Sequence, residues 1–432
     1  MKIERALRFS LAAGALASLT ISQAHAAVQY CGFRPCPNQG GGTVPQGSCQ
    51  ASNALTVLVR GSNVTGYVPH GYWNGGRTGV GVINIEGSSV TPASISTPNI
   101  VNSCAANAAT GQTVCTANNT DVYLLAGTSL SKTLTSGGSG TIGFSGGECT
   151  NCSVAMDAVH NKALIGMSTS NGAGFQYLDL GTTTFESPFA SQSSPKEISE
   201  NILIDPNRNL ILSPSEADNY EVINVSNTMS PSFFEFKLPS SFTGEADSAA
   251  EDCSTGIALA SGEFSDPSQV YVADLSQAKY TSGSPGSWSA PGQTFTLTES
   301  SLAAGACGLA VAQGTHTGVV TGEFGGNELT AISLPTTSGS GTPTIVDWVS
   351  CGLPDGFQMG FDPHTVTAYQ SPNGSQHAFA VIANGTANQV AVVDLTLMLE
   401  SSVVARTSGP SGGHACTSGT LPSTVVSFIT VP

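Results

Sequence analysis

The sequence predicts an all-β chain folded as a single β-propeller of seven four-stranded blades behind a Cys-rich N-terminal lead-in. Three observations carry this expectation. First, a short phrase recurs: Gln176-Tyr177-Leu178-Asp179-Leu180, Glu221-Val222-Ile223-Asn224-Val225, Tyr271-Val272-Ala273-Asp274-Leu275, Thr330-Ala331-Ile332-Ser333-Leu334 and Ala391-Val392-Val393-Asp394-Leu395, with Val82-Ile83-Asn84-Ile85 as an earlier copy. The copies are spaced by one or two units of about 40–60 residues, the range of propeller blades. Second, no convincing 3.6-residue apolar periodicity appears; residues 300–304 hold one helical turn at most. Third, Gly/Ser-rich stretches at 136–147, 281–292 and 337–342 separate short apolar runs, as surface loops separate strands.

Taken in order, residues 1–26 read as a secretory signal. Lys2, Arg5 and Arg8 form a positive n-region, Leu11 to Ile21 an apolar stretch, and Ala24-His25-Ala26 a small-residue cleavage site. That stretch is too short to span a bilayer, and no later run is long enough for a transmembrane segment. Secretion, to the periplasm or cell surface, is therefore expected. Residues 27–53 are rich in Gly, Pro and Cys and read as a disulfide-tied lead-in. Residues 54–432 form the propeller, with blades expected near 54, 103, 149, 200, 253, 307 and 352. Rings of six or eight blades, or two β domains, also fit the spacing.

Each blade is expected to open with an apolar run, as in Val154-Ala155-Met156, Ile202-Leu203-Ile204, Ile257-Ala258-Leu259 or Leu309-Ala310-Val311. Small residues such as Ala155, Ala258 and Ala310 suit the crowded axis. A polar turn follows, then a second run such as Leu210-Ile211-Leu212 or Ala378-Phe379-Ala380-Val381, and then the recurring phrase. One small sheet cannot bury both faces alone; radial packing does so. Thr424 to Val431 is β-rich and is expected to close the ring by joining the first blade.

Only 10% of residues are charged and the formal charge is −16. Loss of the signal makes the chain more acidic still. Such a surface repels phosphate backbones, so nucleic acid is not an expected partner. Eleven cysteines follow the cleavage site, and in an exported chain they are expected to form disulfides with one left over. Cys104 with Cys115 is a local candidate, as are two among Cys31, Cys36 and Cys49. Cys152, Cys253, Cys307 and Cys351 each precede an expected core strand, where they would staple adjacent blades.

Asp205-Pro206-Asn207-Arg208-Asn209-Leu210-Ile211-Leu212, followed by Tyr220-Glu221-Val222-Ile223-Asn224-Val225, resembles the repeat of YVTN-type β-propellers. Gly360-Phe361-Asp362-Pro363 and Val392-Val393-Asp394-Leu395 are similar. The likeness covers residues 150–400, and the Tyr-Val-Thr-Asn tetrapeptide itself is absent. The resemblance implies a seven-bladed ring acting as a surface or binding module; related rings carry lactonase or cofactor-dependent dehydrogenase chemistry. Fold alone does not assign activity.

Three groups of residues are candidates for chemistry. Tyr67, His70, Tyr72, Trp73 and Arg77 combine flat aromatic faces with hydrogen-bonding groups, which suits a glycan or protein ligand. Glu216, Glu263 and Glu323 follow second strands, and Asp362 and His364 stand near another strand end. Converging at a channel mouth, they would hold a divalent metal or supply a general base. Asp205, Asn207, Asn209, Ser213 and Glu216 have calcium-loop spacing, but Leu210 stands where the sharp turn needs Gly, so an Asp/Asn hairpin turn is expected instead. Cys149-Thr150-Asn151-Cys152 lacks a second ligand pair and reads as ordinary disulfide chemistry. The Gly-x-Ser-x-Gly strings around Ser145 and Ser411 lack a following helix and carry no nucleophile expectation. The reading that follows is an exported binding or structural module presenting loops to an extracytoplasmic ligand. The alternative is a lactonase-like hydrolase with a metal at the central channel.

Overall fold

Among the described residues, nine antiparallel and mixed sheets account for the strands, and seven of them are blades. The structure, a computed structural model, describes residues 30–31, 34–35, 50–51 and 54–432, apart from 71–76, 140–141, 145–146, 171, 192–200, 216–218, 229, 264–267, 284–285, 298–305, 323–326, 340, 355, 358, 360–365, 386 and 408–413. For residues 30–31, 34–35, 50–51, 142–144, 147–149, 263 and 414 it describes the backbone. Inner strands run Thr56–Arg60, Val101–Asn107, Asn151–Asp157, Leu203–Asp205, Glu245–Asp252, Ala306–Ala312 and Val366–Gln370. From each, the chain meanders outward through antiparallel neighbours. The seven-bladed expectation is therefore met, with extra strands on some blades.

Burial explains why the ring holds. Seven hydrophobic clusters form, one in each seam between adjacent blades. Leu164, Tyr177, Ile204 and Ile223 join blades 3 and 4, for example. The seventh cluster joins Tyr369, Val381 and Val392 of the last blade to Leu55, Val64 and Ile83 of the first. Each sheet thus buries both faces.

The recurring phrase has a local cause. In the third to sixth blades the turn after the inner strand ends on a residue in the left-handed region: Asn161, Asn209, Gly256 and His316, with φ of 54°, 54°, 79° and 54°. The carbonyl of that residue accepts from the N–H of the phrase's final aliphatic residue, Leu180, Val225, Leu275 or Leu334, at 2.8–3.0 Å. The aliphatic side chains are buried. The polar residue before it caps the next turn: Asp179 accepts from Thr182 N, Asn224 from Ser226 N, Asp274 from Ser276 N and Asp394 from Leu397 N. The phrase is a strand end plus a turn instruction.

Four expectations need correction. The inner strand of blade 5 is Glu245–Asp252, and Ile257–Glu263 is its second strand. The true inner strand carries Asp247, Glu251 and Asp252, so an apolar criterion passes over it. Val426–Thr430 pairs with Gln389–Asp394 as the outer strand of the last blade, because the first blade already has four strands of its own. Closure is instead by packing and by Glu86, whose carboxylate accepts from Tyr369 Oη (2.8 Å), Ser371 Oγ (2.8 Å) and Asn373 Nδ2 (2.5 Å). A short helix, Leu395–Leu399, follows the last copy of the phrase with Asp394 as its N-cap.

The fourth correction concerns cysteine. Cys104–Cys115 is bonded as expected. Cys351, on the outer strand of blade 6, bonds Cys416 on a strand that the last blade lends to that edge. Cys152 and Cys253 are disulfide-bonded too. Cys307, however, is buried and joins no disulfide, so it is not a staple. The lent strand His414–Thr420, and Gly286–Ser289 beside blade 4, run parallel to outer strands and cover their edges.

The lead-in contributes one strand to the ring. Gln50–Ala51 pairs with the inner edge of blade 4, opposite Leu203 and Ile204. Among the described residues, no helix is long and apolar enough to cross a membrane.

Candidate functional site in the seam between blades 3 and 4

The first turns of successive blades all lie on one face of the ring, and a polar rung crosses most seams there. Two solutions recur. In one, the left-handed residue reaches back to the preceding blade: Asn161 Oδ1 accepts from Asn107 Nδ2 at 2.9 Å, and His316 Nδ1 lies 2.5 Å from Asp252 Oδ2. In the other, that position is Gly and an arginine from the preceding blade fills the space. A Cβ on Gly111 would lie 2.3 Å from Arg60 Nη1, and one on Gly256 would lie 2.3 Å from Arg208 Nη2. Positive φ and occupied space both demand Gly there.

Blades 4 and 5 are joined most heavily. Arg208 Nη1 donates to Asp205 Oδ2 (2.8 Å) and to Glu251 Oε1 (2.9 Å), and both carboxylates are fully buried. Burial and the neighbouring Asp205 hold the Glu251 carboxyl well above its usual range, against the pull of Arg208. Burial works against the charged Arg208, but Asp205 and Glu251 overcome it and hold the guanidinium ionised. Between blades 5 and 6, burial pushes the Asp252 carboxyl upward, yet hydrogen bonds from His316 and Ser254 outweigh it and leave it lowered. Gln313 adds to this seam, accepting from Cys253 N at 2.9 Å and donating to the Glu251 carbonyl.

The seam between blades 3 and 4 departs from both solutions. Asp157 should meet Asn209 there. Instead its carboxylate turns onto its own blade, accepting from His160 N (3.0 Å) and lying 2.7 Å from His160 Nδ1. Where the rung is missing, a groove of about 280 Å³ opens. Asp157, His160, Lys162, Asn209 and Thr228 line it, with Pro206 and Val225 among its apolar walls. His160 is about half exposed, with a side-chain accessibility of 48%, whereas Asp157 is at 7%. The hydrogen bond to Asp157 raises the imidazole above its ordinary value against a smaller burial effect. Lys162 pairs with Glu186 and lies 5.6 Å over the ring of Tyr177. The arrangement can hold a proton at His160 and offer several hydrogen bonds in a concave place.

The sequence-predicted candidates are dispersed. Tyr67 is buried, its hydroxyl donating to Gly127 O at 3.1 Å, and burial raises its pKa. His70 lies beside the C-terminal residues at the seam of the last and first blades, and burial lowers its pKa. Arg77 is exposed. Tyr72, Trp73, Glu216, Glu323, Asp362 and His364 lie outside the described residues, as does the side chain of Glu263. Glu263 ends a second strand, at the face opposite the first turns that hold Asp157 and Asp205. Among the described residues, no group of three or more His, Cys, Asp and Glu is placed to hold a metal ion. Asp205 behaves as a turn residue, accepting from the N–H groups of Asn207 (3.0 Å) and Arg208 (3.1 Å). His160 and Lys162 escaped sequence reasoning because neither belongs to the repeat.

No protein-family model matches the chain, and no curated protein matches it by sequence. Among solved structures it is similar to a "putative 6-phosphogluconolactonase" from Bacteroides uniformis, at 13% identity and TM-score 0.51, over 85% of this chain and all of that one. It is also similar to the β-propeller domain of Cps50 (Swd1) from Myceliophteria thermophila, at 8% identity and TM-score 0.45, over 68% of this chain and 82% of that one. At these identities the likeness to the first of them shows the fold alone: an antiparallel, seven-bladed β-propeller.

Proposed function

We propose that the chain is an exported binding module whose rigid ring holds a polar ligand in the groove between blades 3 and 4. The observation that carries this reading is the missing rung. The other polar seams described above are closed by committed side chains, whereas here the cross-seam partners stay apart and leave a concave, hydrogen-bonding space. Ligand sites are concave, with a few placed polar groups. Export is supported by the n-region, apolar stretch and cleavage site of residues 1–26 and by the Cys104–Cys115 and Cys351–Cys416 disulfides, which persist in oxidising compartments. A metal-dependent hydrolase would need a ligand cluster, and the described residues offer none.

The test is thermal stabilisation of the mature chain by defined glycans, peptides and metabolites, run beside Asn209→Gly and His160→Gln. Ligands that raise Tm in the parent and lose that effect in both variants support the reading. Ligands that stabilise all three proteins equally overturn the groove as the site. Metal analysis with a melt before and after chelation addresses the hydrolase: a stoichiometric transition metal would displace the binding-module reading. N-terminal sequencing of exported protein should begin at Ala27.

A further inference from the structure

The groove narrows its own ligand, given that it is the binding site. Its charged groups already have partners within the protein. Asp157 is engaged by His160, Glu186 by Lys162, and Asp205 by Arg208. An ionic ligand would have to compete with one of these pairs, and breaking a partly buried pair leaves a charge without its partner. What the groove offers instead are uncommitted short-range groups. The Asn209 amide, His160 Nε2 and the Thr228 hydroxyl make no hydrogen bond among the described residues, while lining the same space.

Those groups mix donors and acceptors. The amide supplies both, the hydroxyl supplies both, and the imidazole nitrogen away from Asp157 accepts when neutral and donates when protonated. A ligand hydroxyl also both donates and accepts, so adjacent hydroxyls satisfy such a set without any net charge. Pro206 and Val225 add apolar wall beside the polar edge, the pairing that a sugar ring presents through its C–H face and its hydroxyl rim. The volume of about 280 Å³ lies just below the roughly 300–1,000 Å³ of drug-sized sites. It suits one or two rings rather than a folded peptide segment.

We infer that the groove between blades 3 and 4 binds a neutral, polyhydroxylated sugar ring, held by Asn209, His160 and Thr228. Asn209 has φ of 54°, so Asn209→Gly removes the amide while keeping a backbone that Gly adopts freely.

The experiment uses the full mature chain with histidine-ring isotope labelling. The probes are the methyl glycosides of glucose, galactose, mannose and N-acetylglucosamine, with glucuronate and a short polar peptide as comparisons. At least one neutral glycoside should shift the His160 ring resonances saturably. Asn209→Gly and Thr228→Ala should each weaken that binding about three- to tenfold, the loss of one ordinary hydrogen bond. If His160 responds to glucuronate or peptide but to no neutral glycoside, the sugar assignment falls while the groove stands as a binding site. If glycosides bind without moving His160, or nothing moves it, both the sugar assignment and the groove reading fall.

Discussion

Replacing Arg208 with Met should show how the ring tolerates buried charge. Arg208 is the cation bonded to both Asp205 and Glu251, whose side chains have no solvent exposure. In the native seam the two carboxyls share one arginine, and burial beside Asp205 holds the Glu251 carboxyl well above its usual range. Without the guanidinium the pair must take up a further proton or remain buried with an uncompensated negative charge. A carboxylic acid of ordinary pKa near 4 takes up a proton at pH 7 at a cost of about 4 kcal/mol. That agrees with the roughly 3–5 kcal/mol lost when one partner of a buried ion pair is removed. The same reasoning fixes the pH dependence. At pH 5 the proton costs about 1.4 kcal/mol, so the destabilisation should shrink by about 2.7 kcal/mol between pH 7 and 5. Urea denaturation with disulfides intact measures both values. A cost below about 1 kcal/mol at pH 7, or one independent of pH, would refute the reasoning. Glu251→Gln provides the complementary control. In the parent, the raised Glu251 contributes stability that is fully present below its unfolded value of about 4.5. That contribution is lost as pH rises through its folded value. Glu251→Gln should flatten this limb.

Three further expectations follow from the same geometry. Glu86→Ala removes the acceptor of the fully buried Tyr369 hydroxyl at the ring's closing seam, and should cost about 1–3 kcal/mol in urea titration; pairing it with Tyr369→Phe should recover part of that loss. Asn209→Ala places a Cβ-bearing residue without a local hydrogen-bonding side chain at φ 54° and should cost about 1 kcal/mol more than Asn209→Gly, read by thermal denaturation. Cys104→Ala with Cys115→Ala opens a link between residues 11 apart and should lower stability by about 2–3 kcal/mol, measured under non-reducing conditions.

Leu180, Val225, Leu275 and Leu334 announce their role in one dimension, because each is an aliphatic residue bonded to a turn of its own blade 16–19 residues upstream. Asp205 likewise announces a turn, since its partners Asn207 and Arg208 are local. Blade 5's inner strand was illegible because its carboxylates are stabilised by Arg208 and His316, which lie 43 and 64 residues from their partners. The groove was illegible for a related reason. It arises from a bond that Asp157 does not make, and that absence appears only when Asn209 of the next blade is brought beside it.

The sequence by itself therefore determined the local instructions: strand, left-handed turn, strand, capped phrase, repeated at blade spacing. These depend on contacts within one blade, where chain connectivity sets the distances. Tertiary structure decided which side chain crosses each seam, whether Gly yields to an arginine, and where a seam stays open. Those outcomes depend on pairs from different blades competing for one space, and the order of residues along the chain does not encode that competition in any local pattern.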